Sequence, residues 1–232
     1  MALNLFSGEF RITKFLAKLG ITYDHSDHFE SFCEHFKTFE EVSGACRRAG
    51  LEKCNLILGI DFTASNEWQG RKTFSQQNLH KIMGNKVLNP YQRVIWIIGK
   101  TLAPFDSDNK IPCFGFGDSV TTDRSVFPFK MDSSPCEGIQ EVLTRYTDIA
   151  TKVTLSGPTS FAPVIQAAID IVKEDWNFTI LAIIADGQVT EEHSTIDAIV
   201  EASNYPLSII VIGTYVDPLM PSSLQCRAWF HS

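Results

Sequence analysis

Four short apolar runs, at residues 56–60, 111–116, 180–185 and 207–212, constrain this 232-residue chain more than anything else in it. None of them alternates apolar with polar residues. A strand with one wet face alternates, whereas a strand covered on both faces reads as a continuous apolar run. The four runs therefore predict parallel strands in a sheet buried on both sides. Between them the apolar spacing changes to that of helices. Asn89-Pro90 supplies an N-cap and a first-turn proline, and Tyr91, Val94, Ile95, Ile98 and Leu102 follow on one stripe. Ile139, Val142, Leu143, Tyr146 and Ile149 form a second stripe, Phe161, Val164, Ile165, Ala168, Ile169 and Val172 a third, and Ile196, Ile199 and Val200 a fourth. An earlier helix is expected to start at Thr38, with Glu40 and Glu41 in its first turn, Arg47 and Arg48 in its last, and Gly50 as its stop. Strands alternating with helices predict an α/β fold: a doubly wound, mostly parallel sheet with helices on both faces. The run 126–129 reads as a short edge strand, where Pro128 is tolerated.

In such sheets ligands gather beyond the carboxyl ends of the strands. The first strand ends in Asp61-Phe62-Thr63-Ala64-Ser65-Asn66, the third long run ends in Asp186-Gly187-Gln188, and the loop Ser156-Gly157-Pro158-Thr159-Ser160 leads into the third helix. Two carboxylates and several hydroxyls thus come to one rim. All are hard oxygen donors, which suits Mg²⁺ or Mn²⁺ with water in the remaining positions. Taken singly, Asp, Ser and Thr at strand-to-helix turns are ordinary capping residues.

Asp61-x-Thr63-x-Ser65, then Thr159, then Asp186-Gly187 resembles the metal-ion-dependent adhesion site of von Willebrand factor A domains, with Thr63 where the family usually has Ser. The longer wording is similar to copines: Gly59-Ile60-Asp61-Phe62-Thr63-Ala64-Ser65-Asn66-Glu67-Trp68, Asn89-Pro90-Tyr91, Ile111-Pro112-Cys113-Phe114-Gly115-Phe116-Gly117-Asp118, Gly157-Pro158-Thr159-Ser160-Phe161-Ala162-Pro163 and Tyr205-Pro206-Leu207-Ser208-Ile209-Ile210. The same domain type occurs in plant RING ubiquitin ligases. The resemblance covers residues 38–213 and implies metal ligands at Asp61, Thr63, Ser65, Thr159 and Asp186. It also implies a protein–protein interaction module in which a partner's Asp or Glu completes the coordination of the metal. The calcium- and lipid-binding modules of copines and the RING of the plant ligases have no counterpart here. Beyond Gly213 the resemblance stops. Residues 1–37 are expected to be an N-terminal extension. Residues 214–232, with Pro218 and Pro221, are expected to be an irregular tail that does not supply the usual last helix and strand. The run 207–212 would then lie at the sheet edge, open to self-association.

Composition narrows the function further. The charge sum is −7, which disfavours a general binder of nucleic acid or anionic lipid. The six cysteines include no CxxC pair, so a RING or zinc ribbon is excluded and reduced thiols in the cytoplasm are expected. His25, His28, Cys33 and His35 read as a solvated polar stretch rather than a zinc site, and no apolar run approaches the ~18 residues a membrane span needs. Gly99-Lys100-Thr101 lacks the first glycine of a P-loop, since Val94 stands there, and Gly115-Phe116-Gly117 is half a dinucleotide fingerprint ending at Val120. The runner-up is a metal-dependent phosphohydrolase with Asp61 as nucleophile. Such an enzyme wants a second acid two residues on, where Thr63 stands, so the chain is expected not to be an enzyme. A further alternative is the substrate-binding part of a ubiquitin ligase system.

Overall fold

The computed structural model describes residues 38–84, 87–187, 189–214 and 227–231. Contacts divide the chain into residues 1–37 and Thr38–Ser232, and the second unit is the one described. The expectations for residues 1–37, and for a missing helix after Gly213, lie outside the described residues.

The chain opens with α1 (Phe39–Arg48), capped by Thr38: its hydroxyl accepts from the Glu41 amide while the Glu41 carboxylate accepts from the Thr38 amide. β1 (Asn55–Asp61) and α2 (Ser65–Thr73) follow. Next come α3 (Pro90–Leu102), β2 (Lys110–Ile111), β3 (Cys113–Phe116), β4 (Phe127–Pro128) and β5 (Cys136–Glu137). The second half holds α4 (Gly138–Ala150), α5 (Ala162–Asp175), β6 (Thr179–Ala185), α6 (Glu192–Ala202), β7 (Leu207–Gly213) and β8 (Arg227–His231).

The main sheet runs β4-β3-β1-β6-β7-β8. β3, β1, β6 and β7 are parallel, while β4 and β8 are antiparallel edges. The continuous apolar runs are explained by the two cores they feed. Leu56, Leu58 and Ile60 of β1, with Ile180, Ala182 and Ile184 of β6, pack on one face against Tyr91, Val94, Ile95 and Ile98 of α3 and Val142 and Tyr146 of α4. Ile57, Leu181, Ile183 and Ala185 pack on the other against Val164, Ile165, Ala168 and Ile169 of α5 and Ala198 and Ala202 of α6. Burying a large aliphatic side chain contributes ~1.5–3 kcal/mol, so both faces are strongly specified. Gly59 lets α5 approach β1: a Cβ there would lie 2.7 Å from Val164 Cγ2.

Two expectations need correction. The run 111–116 is not one strand. Pro112 cannot donate to a ladder, so the run divides there. Lys110 and Ile111 pair instead with Glu137 and Cys136 in a separate two-stranded ribbon, while the Pro112 carbonyl still accepts from the Leu58 amide at 3.0 Å. The larger correction is at the C-terminal end. Residues 207–212 are not at the edge, because Ile209 to Gly213 pair antiparallel with His231 to Arg227. The outer amides and carbonyls of β7 would otherwise lie unpaired, and β8 satisfies them. The self-association expected from an open β7 edge therefore loses its structural basis.

Candidate metal centre

β1 delivers Asp61 to the carboxyl rim between β3 and β6, and the chain then turns sharply. The Phe62 amide makes the last bond to β3, donating to the Phe116 carbonyl at 2.8 Å. The Thr63 amide folds back to Asp61 Oδ1 at 2.8 Å, an Asx turn that fixes the carboxylate. The Thr63 and Ser65 hydroxyls share a hydrogen bond of 2.6 Å, and Ser65 opens α2. The second loop runs alongside: the Ala64 amide donates to the Ser156 carbonyl, and the Thr159 hydroxyl donates to Thr63 Oγ1 at 3.3 Å. Thr159 is itself pinned, since its amide donates to Thr190 Oγ1 and its carbonyl accepts from the Thr190 amide, both at 2.9 Å. Gly117 closes the β3 side of the rim. Its φ is +80°, and a Cβ there would lie 2.3 Å from Thr63 Cγ2, so the backbone must come this close bare.

The structure thus links Asp61, Thr63, Ser65 and Thr159 by direct hydrogen bonds. Asp186, at the end of β6, acts on Asp61 through its charge. Asp61, Thr63, Thr159 and Asp186 are buried, and Ser65 is half-buried. Burial, then repulsion from Asp186, pushes the Asp61 carboxyl up to about 7, against the hydrogen bonds from Thr63, which pull it down. Asp61 Oδ2 is buried and has no hydrogen-bond partner among the described residues.

That donor set fits a hard divalent cation: a buried carboxylate oxygen without a partner, a second carboxylate, three hydroxyls and no soft donor. Among the described residues, no group of three or more His, Cys, Asp or Glu side chains gathers, so the hydroxyls would have to supply much of the coordination. Ser160, a neighbour of the set, turns towards Ser194 (3.4 Å). Gln188 and the His25 to His35 stretch lie outside the described residues.

The polar groups behind the site carry little local signal. Asn66, Asn89, Tyr91, Tyr146 and His80 form a buried network under the Asp61 turn. Tyr91 and Tyr146 read as apolar stripe positions, and His80 sits in a stretch with no periodic signal. Only the adjacency of Asn66 to the motif pointed this way.

A copine family model matches residues 78–218, a span that includes Thr159 and Asp186 but not Asp61, Thr63 or Ser65. The E3 ubiquitin-protein ligase RGLG4 of Arabidopsis thaliana is 52% identical over 193 residues, covering 78% of this chain and 48% of the ligase. Copine family protein 1 of Caenorhabditis elegans is 47% identical over 201 residues, covering 84% of this chain and 18% of that protein. The chain therefore spans about half the length of the ligase it matches and less than a fifth of the copine. Among solved structures, the manganese-loaded TRAP protein of Plasmodium vivax aligns at 12% identity with a TM-score of 0.42, over 74% of this chain and 66% of its own.

Proposed function

Given that the chain belongs to the copine family, we propose that this domain is a protein-interaction module whose partner binding depends on a divalent cation. Mg²⁺ or Mn²⁺ would be held by Asp61, Thr63, Ser65, Thr159 and Asp186. The observation that carries this reading is the buried Asp61 Oδ2, without a hydrogen-bond partner among the described residues, in the midst of further oxygen side chains. A buried polar atom of this kind costs ~1–3 kcal/mol unless something compensates it, more if charged, and a cation is the compensation this donor set favours.

When bound, the cation supplies an electrophilic position that accepts a carboxylate from a partner's Asp or Glu. The chain's own residues do the rest. Thr63 holds the Asp61 carboxylate through its amide, and Thr159 ties the second loop to the first. Binding of nucleic acid or direct binding to membranes is not part of this reading: the net charge is −7. Among the described residues no helix is long and apolar enough to cross a membrane. The cytoplasm is the proposed compartment, and the free thiols of Cys46, Cys54, Cys113 and Cys136 suit it.

A second reading is favoured by the identity to plant E3 ubiquitin-protein ligases: the domain selects substrates for ubiquitin transfer. The two readings share the same site. The test is affinity capture from a lysate in Mg²⁺, repeated in EDTA and with Asp61→Ala, followed by mass spectrometry. Partners lost under both changes support the proposal, and recovery of the same partners in all three arms refutes it. Ubiquitin-system substrates among the lost partners would favour the second reading.

A further inference from the structure

We propose that His80 is a positioning residue for the cation site, holding the main chain of Asp61 through a buried hydrogen-bond relay that runs back to the N-cap of α3. This rests on the cation reading of Asp61. The β1 ladder ends at this point: the pairing with β3 stops at Asp61 and that with β6 at Ile60. The Asp61 carbonyl is buried beyond the last regular bonds and needs a donor from elsewhere. His80 Nε2 lies 2.9 Å from it, with Asn66 Nδ2 a longer second donor at 3.4 Å.

A carbonyl can only accept, so Nε2 carries the proton and Nδ1 is an acceptor. The Tyr146 hydroxyl, 2.8 Å away, donates to Nδ1. The Tyr146 oxygen in turn accepts from Asn89 Nδ2 at 3.1 Å, and Asn89 Oδ1 accepts from the Gln92 amide at 2.8 Å as the N-cap of α3. The Asp61 carbonyl thus sets the tautomer, and Tyr146 of α4 with Asn89 at the start of α3 matches it on the other nitrogen. The ring is clamped between Phe62 (centroids 4.6 Å apart) and Tyr91 (4.0 Å), both near parallel to it. A parallel branch holds the Thr63 carbonyl, two residues further along the turn: the Tyr91 hydroxyl donates to Asn66 Oδ1 at 2.6 Å, and Asn66 Nδ2 donates to the Thr63 carbonyl at 3.1 Å. Groups that orient metal ligands without touching the metal typically account for ~10–100-fold in affinity.

A core network that merely stabilises the fold would have no specific effect on cation affinity, and this separates the two roles. Calorimetric titration with MgCl₂ is run on the intact chain, on His80→Phe, which keeps the ring stack but removes both hydrogen bonds, and on Tyr146→Phe, which removes one hydroxyl. Val142→Ala, in the same core, serves as a control that lowers stability without touching the relay. The expected result is a loss of ~10-fold or more in Mg²⁺ affinity for His80→Phe, a smaller loss for Tyr146→Phe, and a change within about twofold for Val142→Ala. Imidazole ¹⁵N spectra should show His80 protonated at Nε2. If His80→Phe does not fold, Tyr146→Phe carries the test. Folded variants that bind Mg²⁺ as the parent does, or a His80 protonated at Nδ1, would overturn the role. If the parent itself takes up no Mg²⁺ or Mn²⁺, the cation reading fails and the role of His80 falls with it, a pattern distinct from selective loss in the variants.

Discussion

Gly70→Ala is expected to destabilise the domain although it lies inside a helix, where alanine ordinarily gains ~1 kcal/mol over glycine. The reason is the segment that crosses α2 at this point. A Cβ on Gly70 would lie 2.0 Å from the Gln77 carbonyl oxygen, 2.8 Å from the Leu79 amide nitrogen and 3.0 Å from the Asn78 carbonyl carbon. All three are backbone atoms, so no side-chain rotation relieves the clash. The 77–79 segment must move by roughly 1.4 Å or more to restore ordinary contact. Overpacking of this kind costs ~1–3 kcal/mol. The Leu79 amide donates to the Asn66 carbonyl at 3.3 Å, and its loss adds ~1 kcal/mol. Set against the helix gain, the net is ~1–3 kcal/mol of destabilisation, or ~2–12 °C in Tm for a domain of this size. The displaced segment leads directly into His80, so Mg²⁺ affinity should fall as well. Thermal unfolding monitored by circular dichroism measures the first effect and titration calorimetry the second. A Tm equal to or above that of the parent would mean that helix propensity outweighs the backbone contact and that the 77–79 segment does not press on Gly70.

Three further outcomes are expected. Gly99→Ala would place a Cβ 2.2 Å from Ile139 Cγ1, so it should destabilise the α3–α4 contact; Ile139→Ala should cost less in that background than in the parent, and strictly additive unfolding energies would refute the contact. Native thiol labelling should reach half-buried Cys46 well before Cys54, Cys113 or Cys136; burial pushes the Cys54 thiol up to about 11, helped by Asp106 and Cys46, so faster labelling of Cys54 in peptide maps would contradict its placement. Deleting residues 227–232 should uncover the β7 edge and produce concentration-dependent association by light scattering, whereas an unchanged monomer would show that β8 contributes little.

What could be read in the sequence follows from where side chains alternate and where they do not. The runs that became β1, β6 and β7 were legible because both sheet faces are covered, fully along β6, almost fully along β1 and partly along β7. α3 and α5 were legible because their buried stripes are wide. α2 was not, since its sequence Ser-Asn-Glu-Trp-Gln-Gly-Arg-Lys-Thr carries no apolar stripe and the helix buries only Asn66 and Gly70, the latter against the 77–79 backbone. β8 was missed because Arg-Ala-Trp-Phe-His has no two-residue period and follows two prolines. Its strand character comes from the unpaired edge of β7, a tertiary cause that no local pattern carries. For the site, hydroxyls and carboxylates on three loops pointed to one rim, and the structure brings Asp61, Thr63, Ser65 and Thr159 into direct contact. The relay through His80, Tyr146 and Asn89 joins residues 57 to 66 positions apart in sequence, and two of its members served equally well as core or cap residues in any local reading.

Whether Asp61, Thr63, Ser65, Thr159 and Asp186 form one divalent-cation site is decided by titrating Mn²⁺ into the purified chain, following free Mn²⁺ by electron paramagnetic resonance, beside Asp61→Ala checked for folding by circular dichroism. One Mn²⁺ is expected to bind per chain, to be displaced by excess Mg²⁺ and to be lost in the folded variant. The same stoichiometry and affinity in Asp61→Ala, or no uptake by the parent, would rule the site out.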